Sequence, residues 1–193
     1  MKDLLDKLVK KNIPEAKQGT VASYIPELDK ARKDALGLYI IDVEGNEYYS
    51  GDWDTKFTIQ SISKIVTLML AILDNGEEYV FSKVGMEPTG DPFNSIKKLE
   101  TSSRRKPYNP LINAGAIAIA SMIKGKDVRD RFQRLLDFFR KISEDETLDV
   151  NYKIYCGESE TGNRNRALGY FLKGDGIIEG NVEDALDILN NVQ

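Results

Sequence analysis

The 193-residue sequence contains no histidine and a single cysteine, Cys156. Without histidine, the chain cannot build a Ser-His-Asp triad, a Cys-His pair or the common histidine-containing metal sites. A base that works near neutral pH must therefore be a lysine, carboxylate or tyrosine with a shifted pKa. One cysteine also excludes an internal disulfide, which favours a cytoplasmic location.

The composition disfavours several classes of partner. The formal net charge is −4 and the pI is about 5.1, which argues against nucleic acid and anionic membrane surfaces. Residues 1–19 carry charges throughout, so we expect neither a signal peptide nor a membrane span there. The chain has no internal repeat or low-complexity segment that would divide it. Residues 1–193 are therefore predicted to form one domain.

A Ser-x-x-Lys pair, Ser61 and Lys64, precedes the uncharged segment IVTLMLAIL. A sequence that is apolar nearly all round predicts a buried helix over 61–74, with both side chains one turn apart on one face. Burial would lower the pKa of Lys64, so that its amine could take the proton of the Ser61 hydroxyl. The positive N-terminal end of the helix would stabilise an oxyanion. The alternative is a chance pair whose lysine reaches solvent.

Hydrophobic periodicity predicts a mostly helical chain with one hairpin. A helix over 2–12 is predicted to end before Pro14, and residues 36–43 are predicted to pair with 47–50. Residues 76–112, rich in glycine and proline, are predicted to form a long loop. The other predicted helices are 113–125, 127–144, 163–173 and 182–191. An isolated hairpin is marginally stable, so either helices cover it or strands are missing from this chain.

The sequence around Ser61, FTIQSISK over 57–64, resembles the serine-dependent glutaminases, and the likeness continues in register. The supporting segments are 21–28, 84–90, 109–117 and 164–167. The resemblance implies a mostly helical α/β (α+β) fold with an antiparallel sheet, similar to β-lactamases and transpeptidases. It implies hydrolysis of the side-chain amide of L-glutamine to L-glutamate and ammonia. It implies neither a metal nor an organic cofactor.

The resemblance also implies site residues. Ser61 would attack the amide carbon and Lys64 would accept its proton, while the substrate-binding residues would be Tyr24, Ser61, Asn113, Glu158 and Asn165. A carboxylate at 158 suits an α-ammonium group, and neutral donors suit an α-carboxylate. The residues alone leave other interpretations open: Asn113 and Asn165 as helix caps, Tyr24 as a core residue and Glu158 as an exposed loop residue.

The chain departs from the family at its C-terminus. Members are typically longer, so the resemblance implies that C-terminal strands, a second active-site tyrosine and an oxyanion donor are missing here. In this register Leu189 stands where the family has a tyrosine thought to assist proton transfer. We expect exposed apolar surface, self-association and a homo-oligomer. Two alternatives remain: a non-catalytic remnant that binds glutamine weakly or acts as an association module, and a penicillin-recognising serine acylase.

Overall fold

A computed structural model describes residues 1–101 and 105–191 of the chain. It contains a two-stranded sheet, helices and two short 3-10 turns, Leu28–Lys30 and Gln60–Ile62. The strands are β1 (Gly37–Ile41) and β2 (Glu47–Gly51). The helices are α1 (Lys2–Ala16), α2 (Ser63–Asn75), α3 (Glu77–Lys83), α4 (Lys97–Thr101), α5 (Asn113–Ser121), α6 (Val128–Ser143), α7 (Tyr152–Thr161), α8 (Asn163–Gly174) and α9 (Val182–Asn191). The chain divides into two compact units, Met1–Thr58 and Ile59–Gln193.

The first unit consists of α1 and the hairpin. β1 and β2 are antiparallel with Tyr39 opposite Tyr49, so the two rings stack on one face of the ribbon with centroids 6.0 Å apart. Asp42 closes the turn because its carboxylate accepts the backbone N–H groups of Glu44 and Asn46. α1 packs on β2, and Ser50 donates its hydroxyl to an Asp6 carboxylate at 2.5 Å. The predicted hairpin is therefore confirmed, with a helix as partial cover.

The second unit is built around α5, a helix of small residues that packs against α2, α8 and α9. Its residues Ala114 through Ala120 are all buried. Small side chains allow close approach: a Cβ added to Gly115 would lie 1.9 Å from the Asn109 carbonyl oxygen. In the last turn of α2, Asp74 forms a bidentate ion pair with Arg134 from α6, with N···O distances of 2.6 and 2.9 Å.

The predicted helices over 127–144, 163–173 and 182–191 are confirmed by α6, α8 and α9. The predicted end of the first helix is wrong, because α1 runs through Pro14 to Ala16. The carbonyl that Pro14 leaves without a donor belongs to exposed Lys10, where water can replace the lost bond.

Three further boundaries differ from prediction. The predicted loop 76–112 contains α3 and α4, although residues 102–104 of that range lie outside the described part. α3 follows Gly76 with two acidic residues in its first turn and a lysine in its last, a charge order that favours a helix. The helix predicted to end at 125 ends at Ser121, and α7 was not predicted. Within 1–101 and 105–191, no helix is long and apolar enough to cross a membrane.

Candidate active site

Ser61 lies in a strained turn at the start of α2. The 3-10 turn Gln60–Ile62 leads directly into the helix, and Ser61 is exposed. Gln60, the residue before it, has a φ of 45°, in the left-handed region that side chains other than glycine rarely adopt. Such strain costs about 1 kcal/mol or more and is typical of functional sites. The sequence predicted one regular helix here and missed this turn.

Lys64 lies in the first turn of α2 and is 3% exposed. Its Nζ donates to the Leu111 carbonyl oxygen at 3.0 Å and to Asn113 Oδ1 at 2.8 Å. Burial lowers the pKa of Lys64 from 10.5 to about 8, and the negative charge of Glu158 partly opposes this. The predicted direction of the pKa shift is confirmed. In the described part of the chain, the hydrogen bonds of this amine go to residues 111 and 113 rather than to Ser61.

Asn113 and Asn165 meet beside this amine. Asn113 is the first residue of α5, but the N-cap is Ile112 and no side chain caps the helix. The interpretation of Asn113 as a cap is therefore wrong, because its amide is used elsewhere. Its Oδ1 accepts from Lys64, and its Nδ2 donates to Asn165 Oδ1 at 3.0 Å. Asn165 lies in the first turn of α8, so residues from three helices form one hydrogen-bonded chain.

Glu158 is a buried helical residue, which corrects its interpretation as an exposed loop residue. It lies in α7, a helix whose start is capped by the Asn151 side chain, and it is 7% exposed. Its Oε2 is buried without a hydrogen-bond partner among the described residues. Burial raises the pKa of Glu158 from 4.5 to about 7, while the charge of Lys64 lowers it. A buried carboxylate with a free oxygen is suited to a cationic ligand.

Two other residues from the sequence have different surroundings. Tyr24 lies in the first unit and is 63% exposed, so the core interpretation is wrong. That Tyr24 belongs to the same site as the other predicted residues stays a prediction. Leu189 lies in α9 and is 1% exposed within the hydrophobic core of the second unit. A leucine in this position cannot donate or accept a proton.

The second unit has an open cleft of about 520 Å³ next to residues that contact Lys64. Phe93 and Leu111 line it, the Phe93 ring centroid is 5.9 Å from Lys64 Nζ, and the carbonyl of Leu111 accepts from the same amine. Neither contact could be predicted from the sequence, since one uses a backbone oxygen and the other depends on the path of the 76–112 segment. Among the described residues, no group of histidine, cysteine, aspartate or glutamate side chains is arranged to hold a metal ion.

The mostly helical architecture with its small antiparallel sheet is a β-lactamase-like fold. A crystal structure of a probable glutaminase from Bacillus subtilis superposes with a TM-score of 0.88 at 33% identity, covering 98% of this chain and 58% of that one. A B. subtilis probable glutaminase complexed with 6-diazo-5-oxo-L-norleucine superposes with a TM-score of 0.85 at 32% identity, covering 97% and 56%.

The sequence profile of the glutaminase family matches residues 19–193, and the chain belongs to this family. A glutaminase from Fusobacterium nucleatum is 70% identical over 188 residues, and glutaminase 2 from Clostridium perfringens is 52% identical over the same length. Each alignment covers 97% of this chain and 62% of the relative. The chain therefore spans less than two thirds of the length of the curated relatives it matches.

Proposed function

We propose that this chain hydrolyses the side-chain amide of L-glutamine to L-glutamate and ammonia, with Ser61 as nucleophile and Lys64 as base. The observation that carries the proposal is the burial of two opposite charges that interact electrostatically, Lys64 and Glu158, where burial shifts the pKa of each group toward neutrality. Interacting groups with such shifts are typical of active sites. Family membership and the names of the relatives support glutamine as the substrate.

The proposed reaction proceeds in two halves. Ser61 Oγ bonds to the amide carbon while its proton passes to Lys64 Nζ, and the oxyanion is stabilised at the N-terminal end of α2. The tetrahedral intermediate collapses, and the leaving nitrogen takes the proton from Lys64 and departs as ammonia. Water then attacks the glutamyl ester, with Lys64 accepting a proton from it. Glutamate leaves when Ser61 Oγ regains its proton.

The substrate contacts follow from the chemistry of each group. Glu158 is proposed to bind the α-ammonium of glutamine, because its buried, unbonded oxygen would gain a charge-assisted hydrogen bond. Asn113, Asn165 and Tyr24 are proposed to hold the polar groups around it. A B. subtilis glutaminase forms a covalent complex with 6-diazo-5-oxo-L-norleucine as 5-oxo-L-norleucine. Covalent capture of such an amino acid supports nucleophilic chemistry in this family.

Further parts of the proposal concern the setting of the protein. We propose a cytoplasmic location, because the single cysteine favours a reducing compartment. We also propose a homo-oligomer, because apolar side chains on α2 remain exposed.

The test is ammonia release from L-glutamine by the purified chain, beside the variants Ser61→Ala and Ser63→Ala. Ser63 is a matched control: it is fully buried, and its Oγ has no hydrogen-bond partner among the described residues, so alanine fits in its place. We expect release to disappear with Ser61→Ala and to persist with Ser63→Ala.

No release from folded wild-type chain would overturn the proposed activity. Mass spectrometry after incubation with 6-diazo-5-oxo-L-norleucine then distinguishes two cases. An adduct on Ser61 would locate the defect after nucleophilic attack. Absence of an adduct, combined with weak glutamine binding in calorimetry, would favour the non-catalytic alternative.

A further inference from the structure

The surroundings of the Lys64 amine fix how it can act as a base. Above its pKa, the neutral amine has two N–H bonds and one lone pair. Two oxygens accept from it, the Leu111 carbonyl at 3.0 Å and Asn113 Oδ1 at 2.8 Å. These two acceptors match the two N–H bonds of the neutral form. The lone pair then points away from both oxygens and is left to receive a proton.

We propose that Asn113 is a positioning residue for this base: together with the Leu111 carbonyl, its Oδ1 holds both N–H bonds of neutral Lys64 and leaves the lone pair for the Ser61 proton. The inference rests on the proposed function and adds to it, since there Asn113 only contacts the substrate. Proton transfer from Ser61 converts the amine to an ammonium group. The third N–H bond thus forms on the side that faces neither acceptor.

The orientation of the Asn113 amide is fixed by a second residue. Asn113 Nδ2 donates to Asn165 Oδ1 at 3.0 Å, so the amide oxygen is turned toward Lys64. The opposite orientation would bring two donors, an NH₂ group and the lysine amine, face to face. The Asn113 backbone N–H also donates to the Phe93 carbonyl oxygen at 2.8 Å. The side-chain bond to Asn165, the backbone bond to Phe93 and the buried helix α5 together fix the position of Asn113.

The charges around Lys64 define what a substitution would change. Among the described residues, Glu158 on α7 is the charged group that acts on the amine, and it raises the pKa of Lys64 against the larger effect of burial. Asn113 adds an acceptor without a charge. An aspartate at 113 would place a carboxylate at the same distance, and an opposite charge this close raises a lysine pKa by about 1–3 units.

The experiment follows Lys64 directly, by the pH dependence of its ¹³Cε chemical shift in lysine-labelled protein. The Lys64 signal is assigned by its loss in Lys64→Met. We expect a midpoint of about 8 in the wild type, an increase of at least about one pH unit in Asn113→Asp, and a decrease in Asn113→Leu, which removes an acceptor of the ammonium form. Asn181→Asp, an exposed site on the same unit, adds the same charge elsewhere and should leave the midpoint unchanged.

A residue that made no contact with the free Lys64 amine would leave this substrate-free titration as it was. An unchanged midpoint in Asn113→Asp, or an equal change in Asn181→Asp, would therefore overturn the inference. Should Asn113→Leu not fold, the isosteric aspartate variant decides alone. If the chain releases ammonia, the acidic limb of its pH–rate profile must move with the titration midpoint. If it releases none, the proposed activity fails, but the titration still decides the role of Asn113.

Discussion

Replacing Glu158 with glutamine should change how the stability of the protein depends on pH. Folding buries this carboxyl group and raises its pKa from 4.5 to about 7. At about 1.36 kcal/mol for each pH unit between those values, ionising Glu158 in the folded state costs about 3 kcal/mol. The cost belongs to the folded protein, since an unfolded chain hydrates the same carboxylate freely.

The sign follows from proton binding. Between pH 4.5 and 7 the folded state holds the Glu158 proton more tightly than the unfolded state does, so raising the pH lowers the free energy of unfolding. The contribution is fully present below pH 4.5 and lost as the pH rises through about 7. Glu158→Gln cannot ionise, and its buried amide adds only a pH-independent offset. Relative to that variant, the wild type should lose about 3 kcal/mol across this interval.

Thermal unfolding followed by circular dichroism at several pH values from 4.5 to 8 measures the difference. For a chain of this length, about 3 kcal/mol corresponds to roughly 6–12 °C in Tm. Glu160→Gln, on the exposed side of the same helix, controls for the loss of one acidic residue. A wild-type minus Glu158→Gln difference that stays constant with pH would refute the reasoning. So would the same pH dependence in Glu160→Gln, because the effect would then not come from burial.

Two further predictions concern packing. Gly115→Ala should destabilise the protein by about 1–3 kcal/mol, because its Cβ would lie 1.9 Å from the Asn109 carbonyl oxygen. Gly174→Ala at the end of α8 meets no neighbouring atom within 4 Å and should be neutral or stabilise by up to about 1 kcal/mol, because alanine is the better helix former. Urea unfolding compares them, and equal effects would contradict the contact. Leu73 on α2 is 71% exposed, so Leu73→Lys should change stability by less than about 0.5 kcal/mol. The substitution should reduce self-association measured by sedimentation velocity, because it places a charge on the exposed apolar surface. Unchanged association would show that this surface is not the one through which the chains associate.

Features that depend on residues close together in the chain could be predicted from the sequence. The Ser-x-x-Lys spacing, the apolar run after it and the absence of histidine led to Lys64 as the candidate base, and its burial and lowered pKa are confirmed. The hairpin and the amphipathic helix α6 were predicted for the same reason, since their periodicity is contained in a few turns of chain.

Glu158 and Asn113 show where local signals fail. The residues around Glu158 are polar and include two glycines, so the segment reads as a loop, yet α7 packs on α9 and buries the carboxylate. Asn113 stands at a helix start, where capping is the usual role. Its amide instead bonds to Lys64 and Asn165, which are 49 and 52 residues away in the chain. Such long-range partners leave no trace in sequence periodicity. Only the family register indicated these positions.

The composition of helix α2 predicts that the helix is buried, but not which surface covers each of its faces. Being apolar nearly all round, it was predicted to be buried on every side. The structure buries one face, which includes Lys64, Thr67 and Leu70, against the core of the second unit. Ile62, Ile65, Met69 and Leu73 follow each other at intervals of three or four residues and remain exposed as a continuous stripe. The exposed apolar surface expected from the sequence is thus present on the same helix that carries the proposed base. Because a surface that covers the stripe would contact the helix that carries Lys64, association and catalysis should be measured on the same samples.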